Sequence, residues 1–467
     1  MATSGYGAEL SPGMSGGSED VDFINRLDNV CLMTIFLYLP PGDKLTAEKV
    51  CKRWRAVSKL AWSNVTHLDL TKFTAGPTDF DKLPDIYKNI QSVARTLKRC
   101  GRYLCRLKLG SPCHYTMIPF VARHCENLIR LEISLCQNGN HISNVQKITS
   151  LEYFCLEQMM NDSGSDVLGV LPCENLRELY LHASEFGYEF ESTQRPKLPY
   201  GYDHYLRDLM NLSVMSLHYF DVRGPMEDII NQNSKLTSLT LKDCVLTNLN
   251  FSGLANLEYL DLESAINVDD NLLDLLAKNC KKLKYLNLDC CDHISDEGLT
   301  YLWQLPQLED LSVNHIYGIT DFTFSGLHNL RKLSCEDCEC VQSNELITFL
   351  RIVPNLEYLN LKWTRITHQV LIEANAVTKR RANGIPLRLL VGSSVTADWG
   401  ESPDSPLLIV ESTDDTVYYP YSRRSPRFCN EHDNFDPDYQ FEYEHGSDSE
   451  SDDRLDRDAP DTSNSDD

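Results

Sequence analysis

Three cysteines fall within six residues of the chain, Cys335, Cys338 and Cys340 in "CEDCEC", and a further pair, Cys290 and Cys291, stands upstream in "DCC". Thiols at such spacing are the ligand type of structural zinc, which needs four sulfur or imidazole donors converging tetrahedrally. Cys113 and His114 are adjacent, and adjacency along the chain does not create the geometry of a nucleophile and its base. The sequence holds no glycine-rich phosphate loop, no zinc-binding helix motif and no spaced Ser/His/Asp set. The expectation is a chain that is not an enzyme and has no cofactor or metal. Whether the thiols ligate or pack depends on the elements that carry them.

Those elements are repeats. The pattern L-x-x-L-x-L recurs at Leu104, Leu128, Leu151, Leu176, Leu212, Leu236, Leu257, Leu283, Leu308, Leu330 and Leu356, with an earlier copy, "VTHLDL", at Val65. All intervals between the eleven but one lie between 21 and 26 residues, and the longer one holds "FGYEFESTQRPKLPYGYDHY", a loop inserted into one repeat. A six-residue strand with apolar positions 1, 4 and 6 cannot bury them alone, so the strands stack into a parallel sheet over a continuous core. Helical pieces such as "NVDDNLLDLLAKNC" and "SNELITFLRIVP" return the chain, and the difference in width between helix and strand curves the stack with strands on the concave side. The expected class is α/β, a curved solenoid of eleven or twelve repeats. Within such a turn the thiols pack as small hydrophobes.

The best-formed copy, "LKYLNLDCCDHISDEGL", resembles the cysteine-containing leucine-rich repeat family through Cys291, Ile294, Ser295, Asp296 and Leu299, with Cys136, Cys244 and Cys338 at the equivalent turn. Ahead of the repeats, "FINRLDNVCLMTIFLYLPPGDKLTAEKVCKRWRAVSKLAW" resembles an F-box, through Leu27, Leu32, Ile35, Phe36, Leu39, Asp43, Leu45, Val50, Cys51, Trp54 and Trp62. The resemblance implies a substrate-recognition subunit of an SCF-type cullin–RING ubiquitin ligase. Its F-box would dock a Skp-type adaptor through Leu27, Leu32, Ile35, Phe36, Leu39, Val50 and Trp54. One departure stands out: Asp28, Asn29, Val30 and Cys31 replace the family's Pro-x-Glu-Leu. Asp28 can start a helix by accepting from free first-turn N–H groups. Loss of the glutamate and leucine leaves a second reading open, a non-degradative scaffold with a degenerate F-box. The spacing of Val50, Trp54, Val57 and Ala61 predicts one amphipathic helix across Val50 to Trp62.

The expected organisation is residues 1–20 without structure, the F-box at 21–63, the solenoid at 64–395, and a largely disordered acidic tail at 396–467. Net charge is −24, of which the tail, with 21 acids against 5 arginines and no lysine, carries −16. So acidic a chain is a poor nucleic-acid binder. No apolar run of about 18 residues suggests a membrane span. No secretory leader is visible, and 17 cysteines, an odd number, read as reduced thiols, which points to cytoplasm or nucleus. Ser447 and Ser449 each precede an acid by three residues and suit acidophilic kinases.

Side-chain alternation along each strand turns positions 3, 5 and 7 to the concave face. Toward the C-terminal half this face offers Tyr259, Asp261, Glu263, Tyr285, Asn287, Asp289, Asp310 and Tyr358, an aromatic and acidic surface suited to an unknown protein substrate with basic character. At the other end it offers Arg106, Lys108 and Arg130, where the acidic tail is expected to act as a weak, salt-sensitive gate.

Overall fold

The computed structural model describes residues 23–70, 90–110, 117–136, 142–159, 171, 174–183, 211–320, 324, 326–400 and 403–413. The N-terminal twenty residues, Cys113–His114, the inserted loop and the tail beyond residue 413 lie outside this set.

Three helices open the described chain: α1 (Asn29–Leu37), α2 (Pro41–Val50) and α3 (Lys52–Ala61). Asp28 starts α1 as expected: its carboxylate accepts from the Cys31 backbone N–H at 2.7 Å. That hydrogen bond holds the Asp28 carboxyl below its ordinary range. Val50 to Trp62 is two helices rather than one. Cys51 is extended (φ −154°, ψ 172°), and its sulfur accepts from the Trp54 N–H, so it ends α2 and caps α3. Trp54, Val57 and Ala61 face inward, whereas Val50, the last residue of α2, is exposed.

The two tryptophans of this segment serve different cores. Trp54 packs on Phe36 edge-to-face (5.1 Å between centroids) in a small cluster with Leu32, Ala47, Val57 and Ala61. Trp62 is fully buried in the main core. Between them lies a buried polar joint. Glu48 accepts from Trp62 Nε1 at 2.9 Å and from Arg99 Nε and Nη2 at 3.1 and 2.9 Å, tying α2 to the first solenoid helix, Ile90–Cys100. Lys44, also buried, donates to Asn64 Oδ1 (2.8 Å) and the Leu37 carbonyl (3.3 Å).

After the helices come fourteen strands among the described residues: β1 (His67–Asp69), β2 (Arg106–Leu109), β3 (Arg130–Cys136), β4 (Tyr153–Met159), β5 (Glu178–Ala183), β6 (Val214–His218), β7 (Ser238–Lys242), β8 (Tyr259–Asp261), β9 (Tyr285–Asn287), β10 (Asp310–Ser312), β11 (Lys332–Ser334), β12 (Tyr358–Asn360), β13 (Leu387–Gly392) and β14 (Leu408–Thr413). They form one parallel sheet in strict chain order. Position 4 of every repeat falls in one row across the sheet, from Leu68 through Leu260 and Leu286 to Val410. From Leu68 to Leu389 these side chains are buried on the core side, each of them worth about 2–5 kcal/mol against truncation to alanine.

The array exceeds the sequence expectation at its C-terminal end. β14 pairs with β13 over six residues, so residues 396–399 belong to helix Ser393–Trp399 and 408–413 to the sheet, not to the acidic tail. "LRLLVG" and "LIVEST" alternate apolar residues with period two and lack the L-x-x-L-x-L spacing that marks the other copies.

The cysteine turn packs, and its thiols donate. Cys244 Sγ reaches the Leu217 carbonyl at 3.4 Å, Cys291 that of Leu262 at 3.3 Å, and Cys338 that of Val313 at 3.1 Å, each one repeat back. Burial pushes the Cys338 thiol up to about 12 and Cys291 well above its ordinary value. Cys335 is also buried and Cys340 exposed, and no group of three or more potential metal ligands converges among the described residues.

The turn at Ile294, Ser295 and Asp296 links repeats too. Asp270 accepts from Ser295 N (2.9 Å) and Oγ (2.6 Å), and Asp296 accepts from Thr320 N (2.7 Å) and Oγ (2.8 Å). Gly298 leaves room for this bond, since a Cβ there would sit 2.0 Å from Asp270 Oδ1. A further ladder precedes the strands: Asn127, Asn175, Asn211, Asn256 and Asn329 each donate Nδ2 to a carbonyl of the preceding repeat.

Candidate functional site

Two surfaces carry residues the fold does not consume. The first is α1. Its sequence is apolar on all sides, a pattern that normally means full burial. Only one side is buried, by Leu32 and Phe36. The opposite side, carrying Val30, Cys31, Thr34, Ile35 and Tyr38 at helical spacing, is exposed, with Val30 at 67% and Tyr38 at 87%.

This redistributes the expected adaptor-facing set. Ile35 and Val50 are exposed, while Leu27, Leu39 and Trp54 are half-buried. Leu32 and Phe36 point into the small core, because a module of three short helices needs its largest apolar groups to hold itself together. Val30 and Tyr38 lie on the same exposed side and were outside the expected set; the sequence signal for that side is the lack of charged residues on α1.

The second surface is the open face of the sheet, where strand registers align side chains in rows. One row runs Ser238, Tyr259, Tyr285, Asp310, Lys332 and Tyr358. Tyr259 and Tyr285 stack face to face, with centroids 4.2 Å apart and ring planes at 4°. Burial raises the pKa of both phenols. Lys332 pairs with Asp310 at 3.1 Å.

In the next rows much of the expected binding surface is occupied with itself. Asp289 accepts from Ser312 Oγ (2.7 Å), Asn314 N (2.8 Å) and Asn314 Nδ2 (2.9 Å). Asn314 Oδ1 accepts from Ser334 Oγ and Glu336 N, both at 2.7 Å, and Glu336 accepts from Asn360 Nδ2 at 2.7 Å and pairs with Lys362 at 2.8 Å. Asn287 is buried and accepts from the Asp289 N–H. Glu263 pairs with Lys242 at 2.7 Å. Asp261 is the exception: one oxygen accepts from the Glu263 N–H at 3.0 Å, and burial raises its carboxyl pKa. The face expected to offer eight groups to a partner therefore concentrates on Tyr259, Tyr285 and Asp261, with Tyr358 half-buried farther along.

The basic end is neutralised as well. Lys108 pairs with Glu132, and Arg130 lies 3.8 Å over the Tyr153 ring and 3.7 Å from Glu178. Two of the three cations expected to attract the acidic tail thus already have acidic partners.

Comparison with known proteins matches residues 24–65 to the F-box domain family. The repeats follow directly in the same chain. The chain carries an F-box domain ahead of leucine-rich repeats. The F-box/LRR-repeat protein 17 of Arabidopsis thaliana is 25% identical over 295 residues, 60% of this chain and 46% of that protein. The chain thus spans about half the length of this curated F-box relative. Among solved structures it is similar to an internalin of Listeria monocytogenes (16% identity, 84% of this chain and 93% of that one, TM-score 0.46). It is similar also to a chain of the yeast Rad7 and Elc1 complex (15% identity, 84% and 95%, TM-score 0.47).

Proposed function

We propose that this F-box protein is a substrate receptor of an SCF-type cullin–RING ubiquitin ligase, acting in the cytoplasm or nucleus. The observation that carries the reading is α1: an F-box helix apolar all round with one face left open is built for a second protein, the Skp-type adaptor. The open sheet face around Tyr259, Tyr285 and Asp261 takes the substrate. The chain contributes no catalytic group. It holds a substrate near a ubiquitin-charged enzyme and raises the effective concentration of the reacting lysine.

A buried joint supports this reading: Glu48, Trp62 and Arg99 tie the F-box to the first repeat. The degenerate-scaffold reading rested on Asn29, Val30 and Cys31. Asp28 nevertheless caps α1, and Val30 adds to its apolar face.

Affinity purification of the full-length chain from cells tests the proposal. The expected result is co-purification of a Skp-type adaptor and a cullin, and loss of both with Ile35→Asp. A folded chain that recovers neither contradicts it.

A further inference from the structure

Among the described residues the open face contains two tyrosine pairs, and a cation lies over one of them. In the first, Tyr153 on β4 packs beside Tyr180 on β5 at 5.0 Å. Arg130, the register neighbour of Tyr153 on β3, lays its guanidinium over the Tyr153 ring at 3.8 Å. Glu178, which also accepts from the Tyr180 hydroxyl at 3.4 Å, balances the charge from 3.7 Å. Arginine, tyrosine pair and carboxylate form a complete cation–π clamp.

The second pair has no arginine over it and a different geometry: Tyr259 and Tyr285 are direct register partners, whereas Tyr180 lies one row on from Tyr153. Tyr259 and Tyr285 stand on adjacent strands and stack more closely, at 4.2 Å. The register neighbour of Tyr259 on the preceding strand, the place Arg130 takes beside Tyr153, is Ser238. Serine is too short to cover a ring. Among the described residues the ring contact of Tyr259 is with Tyr285, and no cation lies over either ring. Asp261 rises from the strand of Tyr259 one row further on; its carboxylate accepts from the Glu263 N–H and also interacts with the Tyr259 hydroxyl, which binds it to the ring it flanks. Charge is unbalanced here: Asp261, Glu263, Asp289 and Asp310 face two lysines, Lys242 and Lys332, each already paired.

We propose that the Tyr259 face above Ser238, with Asp261, binds the guanidinium of an arginine presented by a basic, extended segment of a protein partner. The planar group lies on the ring as Arg130 does on Tyr153, and its N–H groups reach the free lone pairs of Asp261. Arginine is favoured over lysine because the ring and the carboxylate are engaged together by a flat, delocalised cation. This deepens the receptor reading by naming the feature a substrate presents, and it rests on that reading for its biological role, though not for the binding itself.

The test is fluorescence polarisation on the full-length chain without adaptor, using a labelled octapeptide with two central arginines in a Gly/Ser frame and its citrulline and lysine counterparts. The arginine peptide is expected to bind, with the citrulline peptide weaker by about tenfold or more and the lysine peptide in between. Tyr259→Leu and Asp261→Asn each weaken arginine binding by about tenfold. Tyr259→Phe, which keeps the ring, retains it, and Tyr153→Leu leaves it unchanged. Equal binding of all three peptides, or indifference to Tyr259→Leu, overturns the proposal. Binding that emerges only after Arg423, Arg424 and Arg427 are replaced by glutamine assigns the clamp to the chain's own tail and overturns the partner. Failure of the receptor reading is separate: adaptor binding is lost there while the peptide still binds.

Discussion

Replacing Glu48 with alanine isolates what joins the F-box to the solenoid. The carboxylate is almost wholly buried and accepts from the fully buried Trp62 indole at 2.9 Å and from Arg99. Alanine leaves the indole N–H without a partner in a dry site, a loss of about 1–3 kcal/mol. Arg99 is 36% exposed and rehydrates when its partner goes, so its share is discounted to about 1 kcal/mol or less. The sum runs from about 1 to 4 kcal/mol, with its middle at about 2–3 kcal/mol. Glu48→Gln keeps an acceptor for Trp62 and loses about 1 kcal/mol or less. Because the F-box cluster and the solenoid core are distinct, the loss appears as local opening. Hydrogen exchange with mass spectrometric readout is expected to show α2 and α3 opening about 30- to 150-fold more often in Glu48→Ala, with β8–β12 unaffected. Unchanged exchange in α2 and α3, or Glu48→Gln as severe as Glu48→Ala, refutes the reasoning.

Other outcomes follow from the same geometry. The hydrogen bond that His315 Nδ1–H donates to Asp337 (3.0 Å) raises the His315 pKa, so the pair stabilises fully below the ordinary histidine value near 6.5 and loses that contribution as pH rises through the raised folded value; melting temperature against pH should flatten on the alkaline side with Asp337→Asn. His182 behaves oppositely. Burial lowers its pKa, so its contribution is present above about pH 6.5 and lost as pH falls through the lowered value, a dependence His182→Gln should remove. In native alkylation followed by peptide mapping, Cys51 and Cys340 should label before Cys291, Cys335 and Cys338, whose thiols are buried. Early labelling at Cys338 contradicts the packed turn.

The solenoid was legible because its signal is redundant. A leucine row that recurs every 21 to 26 residues fixes strand identity, register and the face each residue takes. Asp28 was readable for a local reason: a short carboxylate at a helix start has one thing to do. What escaped needs the third dimension. Nothing in the sequence marks Lys44 and Glu48 as buried; their partners Asn64, Trp62 and Arg99 come together with them only in the fold. The break at Cys51 is hidden because the apolar spacing of α3 runs on by chance to Val50, and cysteine is not a usual cap. The row from Asp289 through Asn314 to Glu336 looks like free binding groups in one dimension. Residues 20 to 26 apart satisfy one another there, which leaves Tyr259 and Asp261 as the groups still available.

The central claim is that the open face of α1 receives the adaptor, and a calorimetric titration tests it most directly. Purified Skp-type adaptor is titrated into the full-length chain and into an Ile35→Asp, Tyr38→Asp double variant whose circular dichroism and melting match the parent. Neither side chain belongs to the F-box core, so folding should survive. The account predicts saturable one-to-one binding to the parent and a loss of at least about 100-fold in the variant, the scale of two interface hot spots. Equal affinity for parent and variant, or no heat from the parent, contradicts it.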